Sequence, residues 1–185
     1  MINKVFWDID ETLIHTFLSE PKQKHVRFAL EFGGVYYTVI RPCSKSLIEF
    51  SRELVGAENV FILTSATKDY AREVNRLAEW GFPDDHIIAR EEIEDHRYST
   101  AYGGSHTVAS KHASLDNVLI DNLEPRYNGD KISYLGIWQS LDTNYLKITD
   151  YYGVNFPNDT FENDVIDFLS KVHKAPSLCK PIGEG

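Results

Sequence analysis

Basic residues are scarce in this chain. Nineteen Lys and Arg stand against 28 Asp and Glu over 185 residues, a formal charge of -9. That balance counts against general coating of nucleic acid, which relies on Lys and Arg to neutralise phosphates. It leaves room for a local basic site. Cysteine is also scarce, with only Cys43 and Cys179. One pair is too few for a disulfide scaffold, and its spacing is not that of a metal site. The expectation is two free thiols in a reducing compartment. The seven histidines show no paired metal spacing. Long apolar runs are missing too, so no membrane span is expected. Asp8, Asp10 and Glu11 interrupt the first apolar run too early for a signal peptide. These absences point to a soluble, cytoplasmic protein. What is present is ordinary for a globular chain: 42% hydrophobic and 25% charged residues. The length suits one domain with a full core.

The chain alternates short apolar runs with helical patterns. Residues 3–8 read as a strand ending in acid, Val60-Phe61-Ile62-Leu63 and Val118-Leu119-Ile120 as strands buried on both faces, and 132–137 as a further strand. Apolar residues at helical spacing mark helices over 44–55, 67–80 and, last in the chain, from Phe161 to Val172. Alternation of the two types argues for an α/β domain around a mostly parallel sheet. Between the first strand and its helix, residues 25–41 alternate apolar and polar residues about Gly33-Gly34. This predicts a β-hairpin with a two-residue turn, pairing Phe32 with Val35, Leu30 with Tyr37 and Phe28 with Val39. One of Tyr36 and Tyr37 then faces away from the core. Residues 1–174 are expected to form the single domain, and 175–185 a flexible tail.

Polar residues gather where the buried runs end. These are Asp8-Ile9-Asp10-Glu11-Thr12, then Thr64-Ser65, then Asp121-Asn122. Sites in open α/β sheets form at the carboxyl ends of parallel strands, so the three groups are expected to meet in one crevice. Asp8 and Asp10 lie two apart, and an extended backbone points them to the same side. Two like charges so placed call for a divalent cation or for protonation of one carboxylate.

The run Asp8-Ile9-Asp10-Glu11-Thr12-Leu13-Ile14-His15 resembles the start of the haloacid dehalogenase superfamily, and most closely its phosphatases of the RNA polymerase II C-terminal domain. The resemblance continues through Arg41-Pro42, Thr64-Ser65-Ala66, Tyr70-Ala71, Trp80-Gly81 and Asp121-Asn122, over roughly residues 4–172. It implies a three-layer α/β/α Rossmann-like fold. It also implies a phosphatase in which Asp8 attacks phosphorus and Asp10 acts as acid and then base. Thr64, with Ser65 and Thr12 as further candidates, would bind phosphoryl oxygens. Magnesium would be held by Asp8, the carbonyl of Asp10 and the side chain of Asp121 or Asn122. A turn hydroxyl bonding local backbone is the competing role for Thr12, and a helix-start residue for Asn122. His15 and Arg90 match positions near the family's site, though either could be structural.

The phosphate-binding lysine departs from the pattern. Lys111 is the nearest candidate, only ten positions before Asp121. That spacing looks more like 5′-deoxyribonucleotidases. Lys68 and Lys131 are weaker alternatives. Trp7, Trp80 and Trp138 read as core or rim. Neither the gap from Asp8 to Thr64 nor that from Thr64 to Lys111 leaves room for a large cap domain. An open site suits a phosphate on a macromolecule: a phosphorylated protein first, a nucleotide or nucleic-acid end second. A catalytically silent module that captures phosphorylated ligands is the reading from another class. It is disfavoured because Asp8, Asp10, Thr64 and Asp121 are all present.

Overall fold

The computed structural model describes residues 1–93, 116–122, 127–128, 131–132 and 145–174. Its centre is a five-stranded sheet. The strands are β1 (Lys4–Trp7), β5 (Val60–Leu63), β6 (Ile87–Ile88), β7 (Asn117–Asp121) and β10 (Tyr145–Lys147). Their order is β10-β7-β1-β5-β6, with every pairing parallel. β1, β5 and β7 are apolar throughout their centres because both faces of a parallel sheet are covered. Alternation splits their side chains: Val5, Trp7, Val60, Ile62, Val118 and Ile120 enter the main core. Phe6, Leu63 and Leu119 form a second cluster.

Three helices contribute to the main core. They are α1 (Ser44–Val55), α2 (Lys68–Leu77) and, after the short α3 (Arg90–Ile93), α4 (Phe161–Lys174). α1 supplies Leu47 and Ile48, α2 supplies Ala71 and Val74, and α4 supplies Val165 and Leu169. Trp7 and Trp80 are both fully buried. The Trp7 indole N–H is satisfied by Ser51 Oγ on α1 at 3.2 Å. Thr67 caps α2, its hydroxyl accepting from the Tyr70 N–H at 3.4 Å. That helix ends at Leu77 rather than at residue 80, because Glu79 turns left-handed at φ 54°. Among the described residues no helix is long and apolar enough to cross a membrane.

The predicted hairpin is part of a larger insert. β2 (Ile14–Phe17), β3 (Val26–Ala29) and β4 (Val35–Ile40) form an antiparallel sheet in the order β2-β4-β3. The sequence reading missed β2. It also placed the register wrongly, since Phe28 faces Tyr36 and Ala29 faces Val35. The turn runs over Leu30–Gly33, closed by the Gly33 N–H on the Leu30 carbonyl at 3.2 Å. Neither Gly33 nor Gly34 takes a positive φ. A longer loop built on an ordinary turn needs no left-handed glycine, so the two glycines do not fix the register. Phe32 is left 95% exposed at the tip. Of the predicted strand over 132–137, Ile132 alone is described, in β9 (Lys131–Ile132), which pairs with β8 (Tyr127–Asn128). Residues 133–137 and the tail 175–185 lie outside the described residues.

Candidate active site

The carboxyl ends of β1, β5, β7 and β10 bring the candidate residues together. Asp8 follows β1, and its N–H is held by the Ile120 carbonyl of β7 at 3.0 Å. The next residues form a tight turn in which the N–H groups of Leu13 and Ile14 return to the Ile9 carbonyl at 2.8 and 3.3 Å. Glu11 takes φ 58° there, strain of about 1–3 kcal/mol that the surroundings impose. The turn is pinned from outside. The Tyr151 N–H donates to the Glu11 carbonyl at 2.8 Å. Arg41, 2% exposed, donates to the carbonyls of Thr12 at 3.2 Å and Thr149 at 2.9 Å.

Within this frame Asp8 and Asp10 diverge. The Thr12 hydroxyl donates to Asp8 Oδ2 at 2.8 Å, and Asn122 Oδ1 lies 3.2 Å from the same hydroxyl. Asp10 instead accepts from the Tyr70 hydroxyl at 2.8 Å and lines a pocket of about 330 Å3. Ser65, Thr67, Tyr70, Tyr36 and Arg90 share that pocket. Burial, then the charges of Asp121 and Asp10, push the Asp8 carboxyl well above the usual carboxylate range. Burial also raises Asp10, against the pull of the Tyr70 hydrogen bond. Glu11 is pushed up to about 7 by burial and by the nearby charges of Asp10 and Asp150.

The other candidates divide. Thr64 is buried at the end of β5, and its hydroxyl accepts from the Ala66 N–H at 3.1 Å. Asp121 ends β7 and is buried, and Asn122 beside it bridges Thr12 to Asp150, donating to Asp150 Oδ1 at 2.7 Å. Thr12 is fully buried, its hydroxyl spent on Asp8 and Asn122. Lys68 is not brought to the site: its ammonium pairs with Glu92 at 2.6 Å and with the Ile87 carbonyl. Lys111 and the Lys131 side chain lie outside the described residues. Arg90 reaches the pocket rim, where its Nε donates to the Ser65 carbonyl at 2.7 Å. His15 lies beside Glu11, 3.3 Å away, with burial pushing its pKa down. Tyr36 stacks on Phe28 with ring centroids 5.3 Å apart.

Three residues at the site escaped the sequence reading. Tyr70 entered as an apolar position of α2 and as part of the resemblance, with no role given to it. Arg41 marked the end of the hairpin. Asp150 follows Leu146-Lys147-Ile148, an apolar run ending in acid as β1 does, and that signal could have found it.

The donor set suits a hard cation. The charge of Asp121 raises the cost of ionising Asp8, and Thr12 and Asn122 bring further oxygens beside them. Among the described residues no three acidic, His or Cys side chains form a ready-made cage. Magnesium commonly keeps several waters and binds through one or two carboxylates, so the residues present fit it.

A family model described as NLI interacting factor-like phosphatase matches residues 4–178, and the chain belongs to that family. Among curated proteins none matches. Solved structures share the fold, among them two of Fcp1. One is Fcp1, an essential RNA polymerase II CTD phosphatase, at 19% identity and TM-score 0.56, with 92% of this chain and 49% of that chain covered. The other is a substituted fission yeast Fcp1 bound to beryllium fluoride, at 17% identity and TM-score 0.55, with 92% and 50% covered. The chain thus spans about half the length of these structures.

Proposed function

We propose that the chain hydrolyses phosphomonoesters with magnesium, through a phosphorylated Asp8. Residues 1–174 would act as one catalytic unit in the cytoplasm, and the exposed free thiol of Cys43 fits a reducing compartment. The observation that carries this reading is the separate anchoring of the two carboxylates. Thr12 steadies Asp8 at 2.8 Å, while Tyr70 holds Asp10 against the pocket at 2.8 Å.

In the first step an Asp8 oxygen attacks phosphorus and the bond to the leaving oxygen breaks. Asp10 gives its proton to that oxygen; burial favours the protonated form it needs. In the second step water attacks phosphorus and passes a proton to Asp10. The bond to Asp8 then breaks, releasing phosphate and restoring the carboxylate. Thr64 and Ser65 would face the phosphoryl oxygens. Asp8, Asp121 and the Asp10 carbonyl would hold magnesium, with Asn122 already engaged by Thr12 and Asp150. Magnesium supplies positive charge that favours the ionised form of Asp8.

The substrate class in this proposal is a phosphorylated protein segment. The pocket beside Asp10 is walled by Tyr36 and Tyr70 and rimmed by Arg90, which suits a side chain next to a phosphorylated residue. Phosphate release should be compared across phosphoserine and phosphothreonine peptides, nucleotides and 3′- or 5′-phosphorylated oligonucleotides. Higher kcat/KM on peptides is expected. Preference for nucleotides or oligonucleotide ends would overturn the substrate class, and absence of turnover on every substrate would favour a binding module.

A further inference from the structure

A chain of hydroxyls runs from the antiparallel insert to Asp10. Thr38 Oγ1 on β4 lies 2.9 Å from Thr16 Oγ1 on β2. Thr16 Oγ1 lies 2.6 Å from the Tyr70 hydroxyl on α2, and that hydroxyl lies 2.8 Å from Asp10 Oδ1. Each hydroxyl carries one proton, which fixes the direction. Tyr70 spends its proton on Asp10, so it accepts from Thr16, and Thr16 in turn accepts from Thr38.

We infer that Tyr70 is a positioning residue for the acid–base group, its hydroxyl anchoring one Asp10 oxygen so that the other is left to face the substrate. This rests on the proposed role of Asp10. A carboxyl group turns about its last bond with little resistance, and two equivalent oxygens would otherwise exchange places. Anchoring one of them by a directed hydrogen bond leaves the reactive proton on the other. Tyr70 itself has little freedom to swing. It is buried, and its ring meets Phe28 at 5.9 Å and Tyr36 at 6.0 Å between centroids. A phenol keeps its proton across the neutral pH range, so Tyr70 remains a donor. Thr16 alone would satisfy the buried hydroxyl, so the bond to Asp10 is not demanded by burial. The insert therefore does more than flank the pocket: β2 and β4 brace the group that moves the proton.

The test uses leaving groups of different basicity, with the full chain and magnesium. Phenyl phosphate needs protonation of its leaving oxygen more than para-nitrophenyl phosphate does. Tyr70→Phe is expected to lower kcat/KM on phenyl phosphate about tenfold, a part of the hundredfold or more that general acid catalysis contributes, while para-nitrophenyl phosphate stays within about threefold. Thr16→Val should shift the two substrates in the same sense, and the double variant should be no worse than Tyr70→Phe alone. Asp10→Asn in the same assay separates the two claims. If Asp10→Asn lowers kcat/KM for both substrates alike, the acid role of Asp10 fails, since kcat/KM reports the step in which the leaving group departs. If it discriminates between them but Tyr70→Phe slows both equally or neither, the positioning role of Tyr70 fails. Should Tyr70→Phe not fold, Thr16→Val decides between the same two outcomes.

Discussion

Arg41 and Asp159 meet through two hydrogen bonds from one guanidinium nitrogen, at 3.1 and 3.2 Å, more than a hundred residues apart in the chain. The same guanidinium stacks on Phe161 at 3.9 Å and donates to the carbonyl of Thr12 in the turn that follows the two catalytic candidates. Asp159 lies just before α4, so this pair ties the C-terminal helix to the nucleophile's turn. Arg41→Met would remove the charge and leave the Thr12 and Thr149 carbonyls without their donor. A loss of about 3 kcal/mol is expected in urea unfolding, the scale for breaking a buried pair. Asp159→Asn, at a side chain that is itself partly exposed, should cost less, because Arg41 keeps its two carbonyl partners.

Asp8 is expected to trade stability for activity. Its charge is unfavourable beside Asp121 and Asp10 in the metal-free chain. Asp8→Asn removes that charge at constant shape. The variant should gain about 1 kcal/mol in EDTA, on the scale of relieved functional strain, and lose phosphatase turnover. Magnesium should raise the Tm of the wild type more than that of the variant. Equal magnesium shifts in both proteins would remove Asp8 from the ligand set.

Glu11 gives a pH dependence with a defined sign. Its folded pKa, about 7, lies above the ordinary 4.5, so the folded chain holds the proton more tightly than the unfolded one. Its stabilising effect is complete below about pH 4.5 and is lost as pH rises to about 7. Metal-free wild type should therefore lose stability across that window. Glu11→Gln should lose less, as read by urea midpoints at about pH 5 and pH 8.

The insert's register can be checked by two phenylalanines. Phe28 is buried against Tyr36 and Tyr70, whereas Phe32 is 95% exposed. Phe28→Ala should cost about 3–5 kcal/mol. Phe32→Ser should stay within about 0.5 kcal/mol, as expected of a surface change. The register read from the sequence would have put both on one packed face.

That contrast shows what the sequence carried. The buried strands β1, β5 and β7 were legible because continuous apolar runs that stop abruptly at polar residues have few other uses. Asp8, Asp10, Thr64 and Asp121 followed from where those runs stop. The insert was less legible. Alternation marks a strand but not its partner, and Gly33-Gly34 resembled a tight turn without forming one. β2 was hidden because Ile14–Phe17 is short and follows the motif directly. The roles of Arg41 and Tyr70 were beyond reach for a different reason. Arg41 acts on Thr12 across 29 residues of chain and Tyr70 on Asp10 across 60, and such pairings leave no local pattern.

The most direct test of the account is to trap the phosphorylated nucleophile. Asp10→Asn should still be phosphorylated by para-nitrophenyl phosphate, whose leaving group needs little help, and should then hydrolyse slowly for want of a base. Borohydride reduction followed by peptide mass spectrometry is predicted to find homoserine at Asp8 in that variant, with magnesium and not in EDTA. Unmodified Asp8 under turnover, or homoserine at another carboxylate, would contradict the account.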